Sequence, residues 1–224
     1  MATVGIIAEF NPLHSGHEYL IKEAKKQGTV IAVISGNFVQ RGETAIAEKR
    51  IRALSALKCG ADLVVEMPVL WSMSTAENFA LGGVSILNNM GCDKLMFGSE
   101  CGDTDKITET AELIYSDEIK PYISDELDKG ITFAAARENA WRKISPECAD
   151  IIQSPNNILG VEYAAALKRI NSKIIPLTFA RVGAEHDSTQ SNGDIASASL
   201  VREFIKSRRE FADFVPDKAE AIYR

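Results

Sequence analysis

"VGIIAEFNPLHSGHEYLIKEAKKQGTVIAVIS", residues 4–35, runs from one short apolar segment through an amphipathic stretch into a second apolar segment. The first segment, "VGIIAE" (4–9), and the second, "TVIAVIS" (29–35), are apolar on both faces, as strands are when helices cover a sheet on each side. Three further runs share this character: "ADLVVEMP" (61–68), "DKLMFGS" (93–99) and "SKIIPLTF" (172–179). Between the first four lie "SGHEYLIKEAKKQG", "AIAEKRIRALSALKCG" and "STAENFALGGVSILNNMG", with apolar residues at helical spacing. A βαβαβαβ series with right-handed crossovers predicts a doubly wound parallel α/β sheet, whose ligands sit outside the carboxyl ends of the strands.

Composition bounds the reading. The 224 residues are 46% hydrophobic and 25% charged, enough for one α/β domain with a small addition. A formal charge of −6 and a pI near 5.2 argue against a surface built mainly to neutralise phosphates, so a nucleic-acid partner would meet a local patch. The start "MATVGIIAEF" has no basic leader, and no apolar run reaches bilayer length, which predicts a cytoplasmic protein with no membrane partner. Cys59, Cys92, Cys101 and Cys148 share no C-x-x-C spacing and read as free thiols.

Residues 103–145 carry three helical patterns and no strand, as an insertion or cap would. The domain expected from this organisation covers 1–207, with 208–224 opening a further helical region. There, Pro216 and Asp217 of "VPDKAEAIYR" start a helix that reaches Arg224 after two turns, the pattern expected of a fragment of a longer polypeptide.

In this architecture the loop after the first strand faces the ligand crevice, and the helix that follows offers free N–H groups and the positive end of its dipole. This loop supplies Asn11, Pro12, His14, Gly16 and His17 where a dinucleotide fingerprint or P-loop would place several glycines. Two imidazoles flanking a glycine suit a triphosphate undergoing in-line attack at its α-phosphate, a reaction needing oriented oxygens and charge stabilisation but no protein nucleophile. Either histidine could equally cap the helix or pack beside Tyr19. Zinc finds little support, since H-E-x-x-H is absent and His186 is the remaining histidine; no metal ligands are assigned. Near the other end, "IASASLVREFI" (195–205) sets Ser197 and Ser199 at a helix start with Arg202 one turn inside, a second clamp for outer phosphates. Alone, that pattern also fits an ordinary capped surface helix.

With "FNPLHSGH" and "SASLVR" together, the chain resembles the HxGH nucleotidyltransferase superfamily, a Rossmann-like α/β group. "SGNFVQRGE", "LKCGADLVVEMPV", "FGSECGD", "SPNNILGVEY" and "IASASLVRE" extend the resemblance, in order, to the bacterial tRNA(Met) cytidine acetate ligase family over about residues 3–205. The resemblance implies activation of acetate by ATP as acetyl-adenylate, with release of pyrophosphate. The acetyl group would then pass to N4 of the wobble cytidine of elongator tRNA(Met).

The resemblance further implies an ATP site formed by Ile7, Ala8, Glu9, Phe10, Asn11, Pro12, Leu13, His14, Ser15, Gly16, His17, Glu18, Tyr19 and Leu20. Gly98, Asn156, Asn157, Arg181, Val182, Ser199 and Arg202 would complete it, with His14, His17 and Arg202 acting on the phosphates. Mg²⁺ is expected with any ATP triphosphate. Relatives continue into a helical C-terminal region implicated in tRNA handling, so tRNA acetylation by this chain alone is expected to be weak.

Asn37, Gln40 and Arg41, after the second strand, are the candidates for the second substrate, where an amide or guanidinium can orient a carboxylate or touch RNA; the loop can also satisfy only itself. Lys49, Arg50, Arg52 and Lys58, with Lys206, Arg208 and Arg209, read as solvated helix faces from which a tRNA patch would draw. Asp62 and Glu66 read as strand-end polar groups. An adenylyltransferase acting on a small phosphorylated acceptor, and a nucleotide-binding module without turnover, are the competing functional readings.

Overall fold

The computed structural model describes residues 1–181 and 198–223. Val182 and His186 lie outside the described residues, as does Ser197.

The first unit is β1 (Ala2–Ala8), α1 (Ser15–Gln27) and β2 (Gly28–Ser35), followed by α2 (Lys49–Cys59), β3 (Leu63–Met67), the single turn α3 (Val69–Ser72) and α4 (Ala76–Asn89). Next come β4 (Lys94–Ser99) and four helices: α5 (Thr104–Ile114), α6 (Lys120–Leu127), α7 (Phe133–Ile144) and α8 (Pro146–Ile151). The long α9 (Pro155–Arg169) leads to β5 (Ile175–Ala180), and α10 (Ala198–Lys206) and α11 (Asp217–Tyr223) follow.

The five strands are all parallel in the order β3-β2-β1-β4-β5, so the chain reverses direction across the sheet between β1 and β4. The carboxyl ends of these two strands therefore open a crevice, as the doubly wound reading requires. Two apolar cores lie on opposite faces. Phe79, Val84, Leu87, Phe97 and Tyr163 form one under α4 and α9; Ile6, Leu13, Ile21, Ala32 and Ala56 form the other under α1 and α2. Gly83 makes the close approach of α4 possible, because a Cβ there would stand 2.7 Å from Ile7 Cδ1.

Two boundaries differ from the sequence pattern. The second helix begins at Lys49, four residues inside "AIAEKRIRALSALKCG", because Ala45 N donates to the Asn37 carbonyl and Ile46 N to Asn11 Oδ1. Those bonds hold residues 45 and 46 as loop. Residues 103–145 hold three helices, and α8 adds a fourth just beyond; Ile119, Ala140, Trp141 and Ala149 form a small core of their own.

The polypeptide after α10 returns to the body. Ala219 is fully buried in the α1–α2 core, Leu13 N donates to the Tyr223 hydroxyl at 3.0 Å, and Ser15 Oγ donates to the Phe214 carbonyl at 3.2 Å. No helix among the described residues is long and apolar enough to cross a membrane.

Candidate active site

Helix α1 starts directly at the crevice, and the two histidines cap it reciprocally. His14, the N-cap, accepts from Gly16 N through Nδ1 at 3.1 Å, and His17 Nδ1 accepts from His14 N at 3.3 Å. The capping reading and the ligand reading are thus compatible, since capping uses only Nδ1. With Nδ1 an acceptor in each ring, the proton of each neutral imidazole belongs on Nε2. The rings lie 3.7 Å apart, tilted by 31°, and Phe10 meets His17 edge-on at 5.1 Å.

Both rings are held neutral. Burial, then the Arg181 and Arg202 charges, push His14 down to about 3. His17 also lies well below its ordinary value, through burial, His14 and Arg181, with a bond to the Pro12 backbone opposing. Neutral donors and two nearby guanidiniums make a place where an anion replaces water at little cost.

A cavity of about 270 Å³ collects most of the sequence-nominated residues on its wall: Ile7, Ala8, Glu9, Phe10, Asn11, His14, His17, Leu20, Gln40, Arg41, Gly98, Asn156, Arg181, Ser199 and Arg202. Arg202 Nη1 donates to the Asn11 carbonyl at 2.8 Å and Nη2 to Ser199 Oγ at 2.9 Å, tying α10 to the loop after β1. Arg181 Nη1 donates to Asn156 Oδ1 at 2.8 Å. A Cβ on Gly98 would stand 3.0 Å from Arg181 Cγ, so this glycine makes room for the arginine stem.

The other nominated residues are placed elsewhere. Leu13 is buried in the α1–α2 core, and Pro12 is buried beside it in the turn, after a cis Asn11–Pro12 peptide. Ser15 faces Phe214, Gly16 gives its N–H to His14, and Glu18 pairs with Lys22 at 2.9 Å. Tyr19 packs edge-on against Phe179 at 5.5 Å. Asn157, 3% exposed, accepts from Cys101 N through Oδ1 at 3.1 Å, while its own N–H goes to Glu100 Oε2 at 2.8 Å. The start of α9 is therefore already occupied by a carboxylate of the chain itself, a favourable place for one. Asn37 Oδ1 accepts from Lys49 N at 2.9 Å, which makes it part of the support of α2 and not of the cavity wall.

Arg52 requires a correction. It is not on a solvated face: it is 0% exposed and gives its guanidinium hydrogens to the carbonyls of Ala47, Glu9, Ser35 and Gly36. Burial is tolerated because the carbonyls of converging segments satisfy the fork. With Gln40 N donating to Glu9 Oε1 at 2.9 Å, Arg52 fixes the "SGNFVQRGE" loop against the end of β1. Asp62 and Glu66 are ion-paired with Lys25 and Lys49, at 2.6 and 2.7 Å.

The apolar side of the wall, supplied by α4, β4 and α9, is Phe79, Phe97, Ile158, Leu159 and Tyr163; none was nominated for the site, although all but Phe79 lie within the segments "FGSECGD" and "SPNNILGVEY". No group of three or more His, Cys, Asp or Glu among the described residues is placed to hold a metal ion.

A parallel sheet that brings two neutral histidines at a helix start together with two arginines is the architecture of a nucleotidyltransferase. Residues 1–224 match the family described as HIGH Nucleotidyl Transferase, and the chain belongs to that family. Within it, the chain is 44% identical over 227 residues to the tRNA(Met) cytidine acetate ligase of Caldanaerobacter subterraneus subsp. tengcongensis, a match covering 97% of this chain and 57% of that protein. The ligase of Acetivibrio thermocellus is also 44% identical, over 216 residues, 92% of this chain and 52% of the relative. The crystal structure of apo Thermotoga maritima TmcAL superposes with a TM-score of 0.92 at 35% identity, covering 99% of this chain and 56% of that one. The same enzyme bound with alpha-thio ATP gives 0.89 at 33% identity, covering 100% and 55%. The chain thus spans little more than half the length of these relatives.

Proposed function

We propose that this chain carries the ATP-dependent, acetate-activating part of a tRNA(Met) cytidine acetate ligase. The observation that carries the reading is the pair of neutral, reciprocally capped histidines beside Arg181 and Arg202, at the crevice of a fold that superposes on a structure bound with alpha-thio ATP. A carboxylate oxygen of acetate attacks the α-phosphorus in line; the bond to the pyrophosphate oxygen breaks and pyrophosphate leaves. The N4 amine of the wobble cytidine of elongator tRNA(Met) then attacks the acyl carbon, losing a proton as AMP departs.

His14 donates from Nε2 to an oxygen of the triphosphate, His17 does so on exchanging its bond to the Pro12 backbone, and Arg181 and Arg202 supply the opposing charge. Mg²⁺ would supply additional neutralisation of the phosphates. We place the ATP-binding unit in residues 1–207, with residues 103–145 as its helical insertion and 208–224 as an extension into a helical region. A cytoplasmic setting follows from a tRNA substrate.

ATP–pyrophosphate exchange with and without acetate tests the reading. The expected result is acetate-dependent exchange that His17→Ala lowers by about 10²- to 10³-fold. Exchange indifferent to acetate, or an AMP moiety retained covalently on a small acceptor, would favour an adenylyltransferase instead.

A further inference from the structure

A second cavity, of about 260 Å³, opens beside α4, α5 and α9 and shares no wall residue with the crevice. Leu81, Ala111, Ala165 and Ala166 make its wall apolar, and Tyr115 and Glu162 bring polar atoms to it. Glu162 is 4% exposed, and its Oε2 accepts from the Tyr115 hydroxyl at 2.9 Å. Its Oε1 has no hydrogen-bond partner among the described residues, yet it is not one of the side-chain atoms sealed from solvent without a partner, which are Ser35 Oγ, Ser116 Oγ, Trp141 Nε1 and the Tyr163 hydroxyl. Oε1 therefore meets solvent, at the cavity that Glu162 lines.

This carboxylate also lacks a cation. The other charges on the wall are matched: Arg169 pairs with Glu77 at 2.9 Å and Lys168 with Glu112 at 3.2 Å, whereas no ion pair among the described residues includes Glu162. Burial pushes the Glu162 pKa up, opposed by the Tyr115 hydrogen bond and the charge of Arg137. A nearly buried carboxylate served by one neutral donor is costly to keep ionised, and a ligand that brings a cation to it recovers part of that cost. We propose that this cavity binds a small alkylammonium, whose N–H groups donate to Glu162 Oε1 and whose alkyl chain packs against Leu81, Ala165 and Ala166. A neutral hydrocarbon would leave the carboxylate as it is, and an anion would be repelled by it.

Butylammonium and its neutral isostere butanol are titrated into the unmodified chain and into Glu162→Gln by calorimetry, at about pH 8, where the amine is protonated and the carboxylate ionised. The expected result is saturable one-to-one binding of butylammonium by the unmodified chain, weaker by about tenfold or more for butanol and by a similar factor for butylammonium with Glu162→Gln. Amide shifts in heteronuclear NMR should change around Leu81, Ala111 and Ala165 and not around His14 and His17. Butanol binding as tightly as the amine would overturn the proposal, and that comparison needs no variant to fold. So would absence of saturable amine binding, unchanged affinity in a folded Glu162→Gln protein, or shifts centred on the histidines.

Discussion

The two sides of the crevice are built by opposite means. On the α1 side, polar atoms hold one another: the histidines cap their own helix, Arg202 bonds the Asn11 carbonyl, and Arg52 binds carbonyls behind the loop. On the α4–α9 side, apolar rings pack against glycines, and the Tyr163 hydroxyl has no partner among the described residues. The first side is suited to holding an anion, whereas the second offers apolar surface. The histidine pair is a local motif, whereas the arginines and the apolar wall come from parts of the chain far apart in sequence.

Breaking the polar side at its root should cost most. Arg52→Met removes the donor from four carbonyls, and we expect a loss of about 3 kcal/mol or more in urea unfolding, with the loop carrying Gln40 and Arg41 released. His17→Ala should leave the fold nearly intact but lower kcat/KM for exchange by about 10²- to 10³-fold, the scale for one oriented donor on developing charge. A smaller effect separates the sides by pH. His14 titrates near 3 in the folded protein and near its ordinary value when unfolded, so below pH 6.5 the unfolded chain binds the extra proton. Stability is therefore full above that pH and falls as the pH drops, by about 2 kcal/mol at pH 5 from His14 alone. His14→Gln should reduce this dependence, His17 keeping its own share, whereas Tyr163→Phe should leave it unchanged. The smallest effect belongs outside the crevice: Arg169→Ala, which breaks the half-exposed pair with Glu77 at 2.9 Å, should change stability by at most ~0.5 kcal/mol.

This division also explains what the sequence reveals. The alternation of apolar runs and amphipathic stretches gives the parallel sheet, and the histidine pair stands out because its chemistry lies within four consecutive residues. Arg52 reads as a solvated cation among basic neighbours, although its spacing with Ala56 and Cys59, at i, i+4 and i+7, marks the buried stripe of α2. The apolar wall is not legible in the same way. Phe79, Phe97 and Tyr163 look like ordinary core residues, and only the folded geometry brings them to one cavity and leaves the hydroxyl unsatisfied. Asn37 shows the converse, an amide after a strand that is spent on the start of a helix.

The most direct test of the carboxylate-activating reading follows one oxygen atom. Acetate labelled with heavy oxygen is incubated with the chain and ATP, with hydroxylamine to trap the activated acyl group, and the released nucleotide is examined by mass spectrometry. Attack by the carboxylate on the α-phosphorus predicts acetohydroxamate together with AMP carrying one heavy oxygen from acetate. Release of ADP, or AMP without the label, would contradict it.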